Sequence, residues 1–546
     1  MLIARPALPR FVTALVTSIA LGALLIACGS REPRAAQSVL RRGLGGDVST
    51  LDPQKAGDSF SEEVVRDLFE GLTSETADGE VVPALAESWA VTGDGRTYTF
   101  ELRRAARWSN GDPVTSDEVV AGLRRGVDPA VASPAASLLR PIEHAAEIIA
   151  GTMKPDTLGV SASGPQTVVI HLVHPTPYLP MLLARCVAFP VHGPSLRRFG
   201  EQFTSPANLV SNGPYRLEAI APNTKVSLIR NPAYWDASHI AVDRVEHYVI
   251  ADAAAQLLRY RANELDMTSS VPAARFEWAQ HELGPELQVR PQLAVIYLAF
   301  NLQGGPLKAG AKLREALALA IDREAFTARV LRAGQVPAYA FVPPGIPGYA
   351  AVTYSWQADT REARLERARR LYRESGYSAA RPLAIRVLYS EDEALRNTAL
   401  TAAAAWKEAL GVEVDLQQRE FKTFLAERGD RTKWDVLVSG WGADFQDPSN
   451  FLEVFRGHAA ANEPGLADSD FDRLLDLADA EPRASERLAL LGSAERRLND
   501  SYAVAPVYYP VLRRLVKPGV QGATLNPMGH NYSRTLRLAA TVGLAH

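Results

Sequence analysis

The 546-residue chain is too long to close around one hydrophobic core, so two or three packed units are expected. Its formal net charge is −3, and losing the two positive charges of Arg5 and Arg10 with a cleaved leader would take it to −5. Neither value provides the basic footprint of a nucleic-acid binder.

The first elements in chain order concern location. Arg5 and Arg10 form a positive opening, residues 11–27 are apolar apart from Thr and Ser, and the stretch ends Leu25-Ile26-Ala27-Cys28. This pattern is that of a secretory signal over 1–27 closed by a lipobox, with Cys28 acylated as the mature N-terminus. The other reading is a short membrane anchor, for which about 17 residues is at the lower limit. No later stretch approaches about 20 uncharged apolar residues. Residues 28–40 read as the lipidated cysteine and a polar tether. With Cys28 lipidated, Cys186 is the only thiol left, so no internal disulfide can form, and it is expected as a small buried apolar residue.

Beyond the tether there is no internal repeat. Residues 97–102 alternate as a half-buried strand, Asn110-Gly111 is a turn, and Ser116 after Pro113 caps a helix ahead of Val119 and Val120. Further strands are expected at 167–172 and 225–229. From residue 294 helices and strands alternate. Helices are expected at 312–332, 361–375 with Gly376 as stop, 394–410 closed by Gly411, and 422–428. Strands are expected at 383–389, 412–416 and 434–439. Such alternation implies a mostly parallel sheet with right-handed crossovers, with ligands bound beyond the carboxyl ends of its strands.

That rule directs attention to Ser439-Gly440-Trp441-Gly442-Ala443-Asp444-Phe445-Gln446-Asp447-Pro448. Gly440 and Gly442 allow another backbone to approach, Trp441 offers an aromatic wall, and Asp444 supplies one negative charge. A structural loop in which Asp444 caps Pro448 and the residues after it is equally open. Catalytic signatures such as G-x-S-x-G, S-x-x-K, H-E-x-x-H and the P-loop are absent from the sequence. The carboxylate pairs Glu62/Glu63 and Asp392/Glu393 read as solvated faces. His171 and His174, three apart at a strand end, fall on opposite faces and do not suggest a metal pair.

The string ESWAVTGDGRTYTFELRRAARWSNGDPVTSDEVV at 87–120 resembles the signature of the large extracytoplasmic solute-binding proteins that serve peptide and nickel ABC importers. Other matching pieces come in order: Leu51-Asp52-Pro53, Val82-Pro83-Ala84-Leu85-Ala86-Glu87-Ser88-Trp89, Asn212-Gly213-Pro214-Tyr215, Asn231-Pro232-Ala233-Tyr234-Trp235, Arg259-Tyr260-Arg261, Leu265-Asp266-Met267-Thr268 and Pro506-Val507-Tyr508-Tyr509. The resemblance implies an α/β fold of two hinged lobes with mixed or parallel sheets plus an inserted α+β domain. By analogy 41–68, 194–293 and 510–546 form lobe I, 69–193 the inserted domain and 294–509 lobe II.

The resemblance also implies a role: capturing oligopeptides on the periplasmic side of the cell envelope and delivering them to permease subunits of an ABC importer, as a monomer, without catalysis, cofactor or nucleic acid. Murein tripeptide capture, or nickel or haem carriage, are the alternatives within the same family. In peptide-binding relatives an aspartate at the position of Asp444 holds the ligand's α-ammonium, and the stretch matching Gly440-Trp441-Gly442 pairs with its main chain. Three positions that are basic in many relatives, and neutralise peptide carboxylates, are here Leu331, Leu395 and Val438. Arg332 and Arg396 lie one residue away and would point about 100° around their helices. Arg428 matches an arginine that contacts a ligand carboxylate in the murein-tripeptide branch; a helix-terminal arginine complementing the dipole is the other reading. Implied pocket walls are Tyr297, Phe421, Trp441, Tyr508 and Tyr509, any of which would also suit a core.

Overall fold

The computed structural model describes Met1 and residues 37–539; the leader-like segment and Cys28 lie outside the described residues. Three sheets organise the chain. The first has four strands, in the order Val39–Leu44, Arg244–Val249, Lys225–Arg230, Tyr215–Ala221, with the first pair parallel and the others antiparallel. The second is antiparallel and lies within 69–193: Ala86–Val91, Thr97–Leu102, Thr167–His171, Val160–Ala162. Phe100, Val168 and Ile170 on its inner face pack with Val119 and Leu123 of the helix Ser116–Val127. The cap expected at Ser116 lies one residue earlier, at Thr115, whose backbone N–H donates to Glu118 Oε2 at 3.2 Å. These residues share one continuous apolar cluster with Leu40, Tyr215 and Val245 of the first sheet, so the two are fused through their interior.

The third sheet has six strands: Val336–Pro337, Val504–Tyr509, Ala294–Phe300, Val436–Gly442, Ala384–Ser390, Glu413–Arg419. Its faces alternate as a period of two demands. Leu298, Phe300 and Val438 enter one core, and Val295, Tyr297, Ala299 and Leu437 enter the other. The expectation of a mostly parallel sheet holds only for the βαβ stretch, where Ala384–Ser390 runs parallel to both Glu413–Arg419 and Val436–Gly442. Ala294–Phe300 is antiparallel to both of its neighbours: the chain enters the sheet from the lobe boundary along it and returns to that boundary along Val504–Tyr509, which follows the helix Ala484–Ser501.

Helices Arg361–Glu374 and Glu393–Leu410 fall where the periodicity places them, and Gly411 closes the second in the left-handed region at φ 74°. The helix expected over 312–332 breaks. It runs Ala311–Ala320, and Asp322 then caps a fresh turn by accepting from Ala325 N–H at 2.9 Å. That turn passes into the π-helical Phe326–Leu331.

Between the first and third sheets the chain crosses twice, side by side. Strands Leu287–Pro291 and Val511–Leu515 pair antiparallel, and Gln292 N–H donates to the Pro510 carbonyl at 2.9 Å. Two adjacent connections of this kind form a natural hinge. Among the described residues no helix is long and apolar enough to cross a membrane.

Candidate functional site

A cavity of about 700 Å³ lies between the first and third sheets, bordered by Asp58, Glu62, Arg66, Arg185, Asp444 and His530 among others. The third sheet delivers Asp444 to it. The strand Val436–Gly442 extends further than expected, so Gly440-Trp441-Gly442 is strand rather than loop. It pairs along its whole length with Ala294–Phe300, but with Ala384–Ser390 only at Val436 and Leu437. From 438 to 442 its second edge has no strand partner among the described residues. Gly440 and Gly442 are exposed on that edge. A Cβ on Gly440 would lie 2.7 Å from Ile296 Cδ1, whereas Gly442 has open space.

Asn450, which the sequence did not single out, fixes the end of this strand. Its Oδ1 accepts from Trp441 Nε1 at 3.2 Å and from Asp444 N–H at 3.1 Å. The alternative of a capping Asp444 is answered by Asp447: its Oδ1 accepts from Ser449 N–H at 2.9 Å, and Arg487 holds it with two bonds. Asp444 is thereby left with no ion pair among the described residues. Burial pushes its carboxyl above the ordinary aspartate range, against the pull of Arg185 and the Asn450 hydrogen bond. A partly buried acid without a counter-ion is a favourable neighbour for a cation.

The opposite wall is built differently. Asp58 caps the helix Ser59–Leu68 by accepting from Ser61 N–H at 2.8 Å. One turn on, Glu62 binds Arg66 and, at 3.2 Å, Arg185. Arg185 reaches His530, and His530 Nδ1 lies 2.7 Å from Glu75. Burial and neighbouring Arg66 pull His530 down to about 4, so it is neutral at pH 7. Glu75, despite its burial, is held at about 2 by His530 and the nearby arginines. Glu62/Glu63 are therefore not the solvated face expected. Glu62 belongs to this network and Glu63 binds Arg42, while Asp392/Glu393 are exposed.

The remaining expected site residues scatter. Tyr297, Tyr508 and Tyr509 are core. Tyr297 packs edge-on to Phe341 and donates to Glu463 at 2.9 Å, Tyr508 meets Phe326, and Tyr509 donates to the Ala340 carbonyl at 2.8 Å. They sit within the period-two faces of the sheet and do not border the cavity. Phe421 is 53% exposed at a helix start and does not border the cavity. Trp441 is half-buried against the core. Leu331 and Leu395 pack against the same core that contains Val438. Arg332 binds Glu277 and Arg396 is exposed. Arg428 lies 3.9 Å from Glu463, whose carboxylate also accepts from Ser439 at 2.9 Å. Cys186 is buried and its thiol is pushed up to about 12 by burial.

Residues 80–463 match the family described as bacterial extracellular solute-binding proteins, family 5 Middle. The chain is 36% identical over 507 residues to the periplasmic oligopeptide-binding protein OppA of Escherichia coli, covering 92% of this chain and 93% of that one. Its fold is similar to the unliganded open form of the murein tripeptide-binding protein MppA, with TM-score 0.83, 33% identity, and 92% and 98% of the two chains covered. It is also similar to Haemophilus influenzae OppA in complex with RPPGFSPFR, with TM-score 0.75, 33% identity, and 92% and 99% covered. The chain belongs to the family 5 bacterial extracellular solute-binding proteins.

Proposed function

We propose that this protein captures oligopeptides outside the cytoplasmic membrane and delivers them to the permease of an ABC importer. One observation carries the reading: an unpaired strand edge over 438–442 leads directly into an unpaired, desolvated carboxylate at Asp444. An extended peptide would add as a strand there. Main-chain bonds would give affinity without reading side chains, and Asp444 would take the α-ammonium. Micromolar binding needs about −8.2 kcal/mol. Neutral hydrogen bonds net only about 0.5–1.5 kcal/mol each before ordering costs, so the charge pair supplies the remainder. The lobes, 41–68 with 194–293 and 510–546 against 294–509, close about the paired crossings, and the closed form docks on the permease. The protein binds and releases; it does not catalyse.

The leader-like opening supports export, and the lipobox supports a lipid anchor at Cys28 on the periplasmic side of the envelope. Incorporation of labelled palmitate, lost in Cys28→Ala, is the expected result; labelling that persists in the variant overturns the anchor. Murein tripeptide is the second reading, favoured by the fold similarity to MppA and by the half-exposed Arg428. Native mass spectrometry of protein produced from residue 29 decides between the two. A mixture of peptides with free amino ends supports general capture, a single diaminopimelate-containing species supports the tripeptide, and a metal or haem overturns both.

A further inference from the structure

Among the described residues four arginines border the cavity: Arg66, Arg185, Arg513 and Arg514. Arg513 donates its Nε to the Val271 carbonyl at 2.9 Å and its Nη1 to the Ala333 carbonyl at 3.3 Å. Arg66 and Arg185 share Glu62 and are electrically answered within the protein. Arg514, on the strand Val511–Leu515 beside the lobe crossing, is only 4% exposed and is not. Its Nε donates to Gln288 Oε1 at 3.0 Å and its Nη1 to Asn531 Oδ1, both neutral acceptors. Among the described residues Nη2 has no acceptor and Arg514 forms no ion pair. The acid whose field it feels, Glu63, is bound to Arg42, which adds a like charge. Burial accordingly pulls Arg514 down to about 10.

Two other buried arginines without ion pairs, Arg314 and Arg323, lie away from the cavity. Arg314 is wrapped by the carbonyls of Leu307, Ser501 and Tyr502. Arg323 binds those of Ala318, Ile321, Ala338 and Pro506 and packs on Tyr339 and Trp356. Neither borders the cavity. A buried guanidinium with a spare Nη at the edge of a cleft matches the geometry of a carboxylate.

We propose that Arg514, positioned by Asn531 and Gln288, binds the C-terminal carboxylate of a short peptide whose amino end rests on Asp444. The proposal rests on the peptide reading above. It places the balancing cation on the hinge strand, whereas the second lobe has Leu331, Leu395 and Val438 at the three positions that are basic in many relatives. A cleft with an acid at one side and an answering arginine at the other would select peptides short enough to reach both.

The test is calorimetry with alanine peptides of two to five residues, as free acids and as C-terminal amides. For at least one length the wild type is expected to bind the acid about tenfold or more tightly than the amide. Arg514→Gln should erase that preference while leaving amide binding nearly unchanged, and Arg514→Lys should restore part of it. If an Ala-Glu-Ala amide recovers the tight binding, the carboxylate taken is a side chain's; if it does not, the C-terminus is the source. The acid–amide comparison on the wild type needs no variant to fold. Equal binding of acids and amides, with both weakened by Asp444→Asn, would overturn the role of Arg514 and leave peptide capture standing. No binding of any alanine peptide to the wild type would overturn both.

Discussion

The two walls of the cleft solve the same electrostatic problem in opposite ways. On the first-sheet side, Arg514 of the hinge strand apart, the charges are numerous and mutually answered: Glu62 lies between Arg66 and Arg185, and Glu75 is tied to Arg185 through neutral His530. On the third-sheet side there is one acid, Asp444, held in place by Asn450 and answered by nothing within ion-pair reach among the described residues. The difference teaches where affinity and where rigidity reside. A closed network stiffens its wall and gains little from a ligand, whereas an isolated desolvated charge gains all that its partner brings.

Four experiments break or sharpen this contrast, from the largest effect to the smallest. Asp444→Ala is expected to weaken peptide binding by roughly 3–5 kcal/mol, because the ligand ammonium would be buried unpaired, with the melting temperature little changed. A loss below tenfold in calorimetry would remove Asp444 from the site. Glu62→Gln should do the reverse. It strands Arg66 and Arg185 together and should cost about 3 kcal/mol of folding stability by denaturant titration, with a smaller effect on binding. If binding suffers more than stability, the two walls do not divide the work as described.

The third experiment is a pH series. The folded His530 sits at about 4, below its ordinary 6.5, so the unfolded chain takes up its proton first. The stability tied to neutral His530 is complete above about pH 6.5 and drains away as pH falls toward 4. Glu75, held at about 2 against 4.5, extends the loss below that. Thermal melts of the wild type should decline across this range, and His530→Gln should flatten the upper part; parallel curves would exclude the histidine. Last, Gly440→Ala forces Ile296 Cδ1 to move from 2.7 Å and should cost about 1–2 kcal/mol of stability, while Gly442→Ala, with free space, should cost less. Equal costs would mean that Ile296 yields freely.

Much of this was legible locally. The helices at Arg361–Glu374 and Glu393–Leu410 announce themselves by periodicity and by Gly376 and Gly411, which are left-handed at φ 86° and 74°. Trp441 and Asp444 were readable as a candidate pair because a strand was expected to lead into them. What escaped depends on partners far along the chain. Glu62 read as solvated because Arg185, 123 residues away, is invisible to a local pattern. Tyr508 and Tyr509 read as walls because an aromatic pair looks the same on a cleft as in a core; both are buried, in a strand that lies between Ala294–Phe300 and Val336–Pro337. The antiparallel strands were missed for the same reason: their direction is fixed by where the chain crosses the hinge. Arg514 could not stand out among the many basic residues of the sequence, since what distinguishes it is a place beside the cavity with no ion pair among the described residues.

Cys186 has a practical consequence. Produced from residue 29, the protein contains a single sulfhydryl, sealed in the interior and protonated up to about pH 12. Its maturation would require no oxidoreductase, and maleimide dyes should leave it untouched. One engineered surface cysteine on each lobe would then suffice to follow opening and closing by energy transfer in single molecules, with no background thiol to remove.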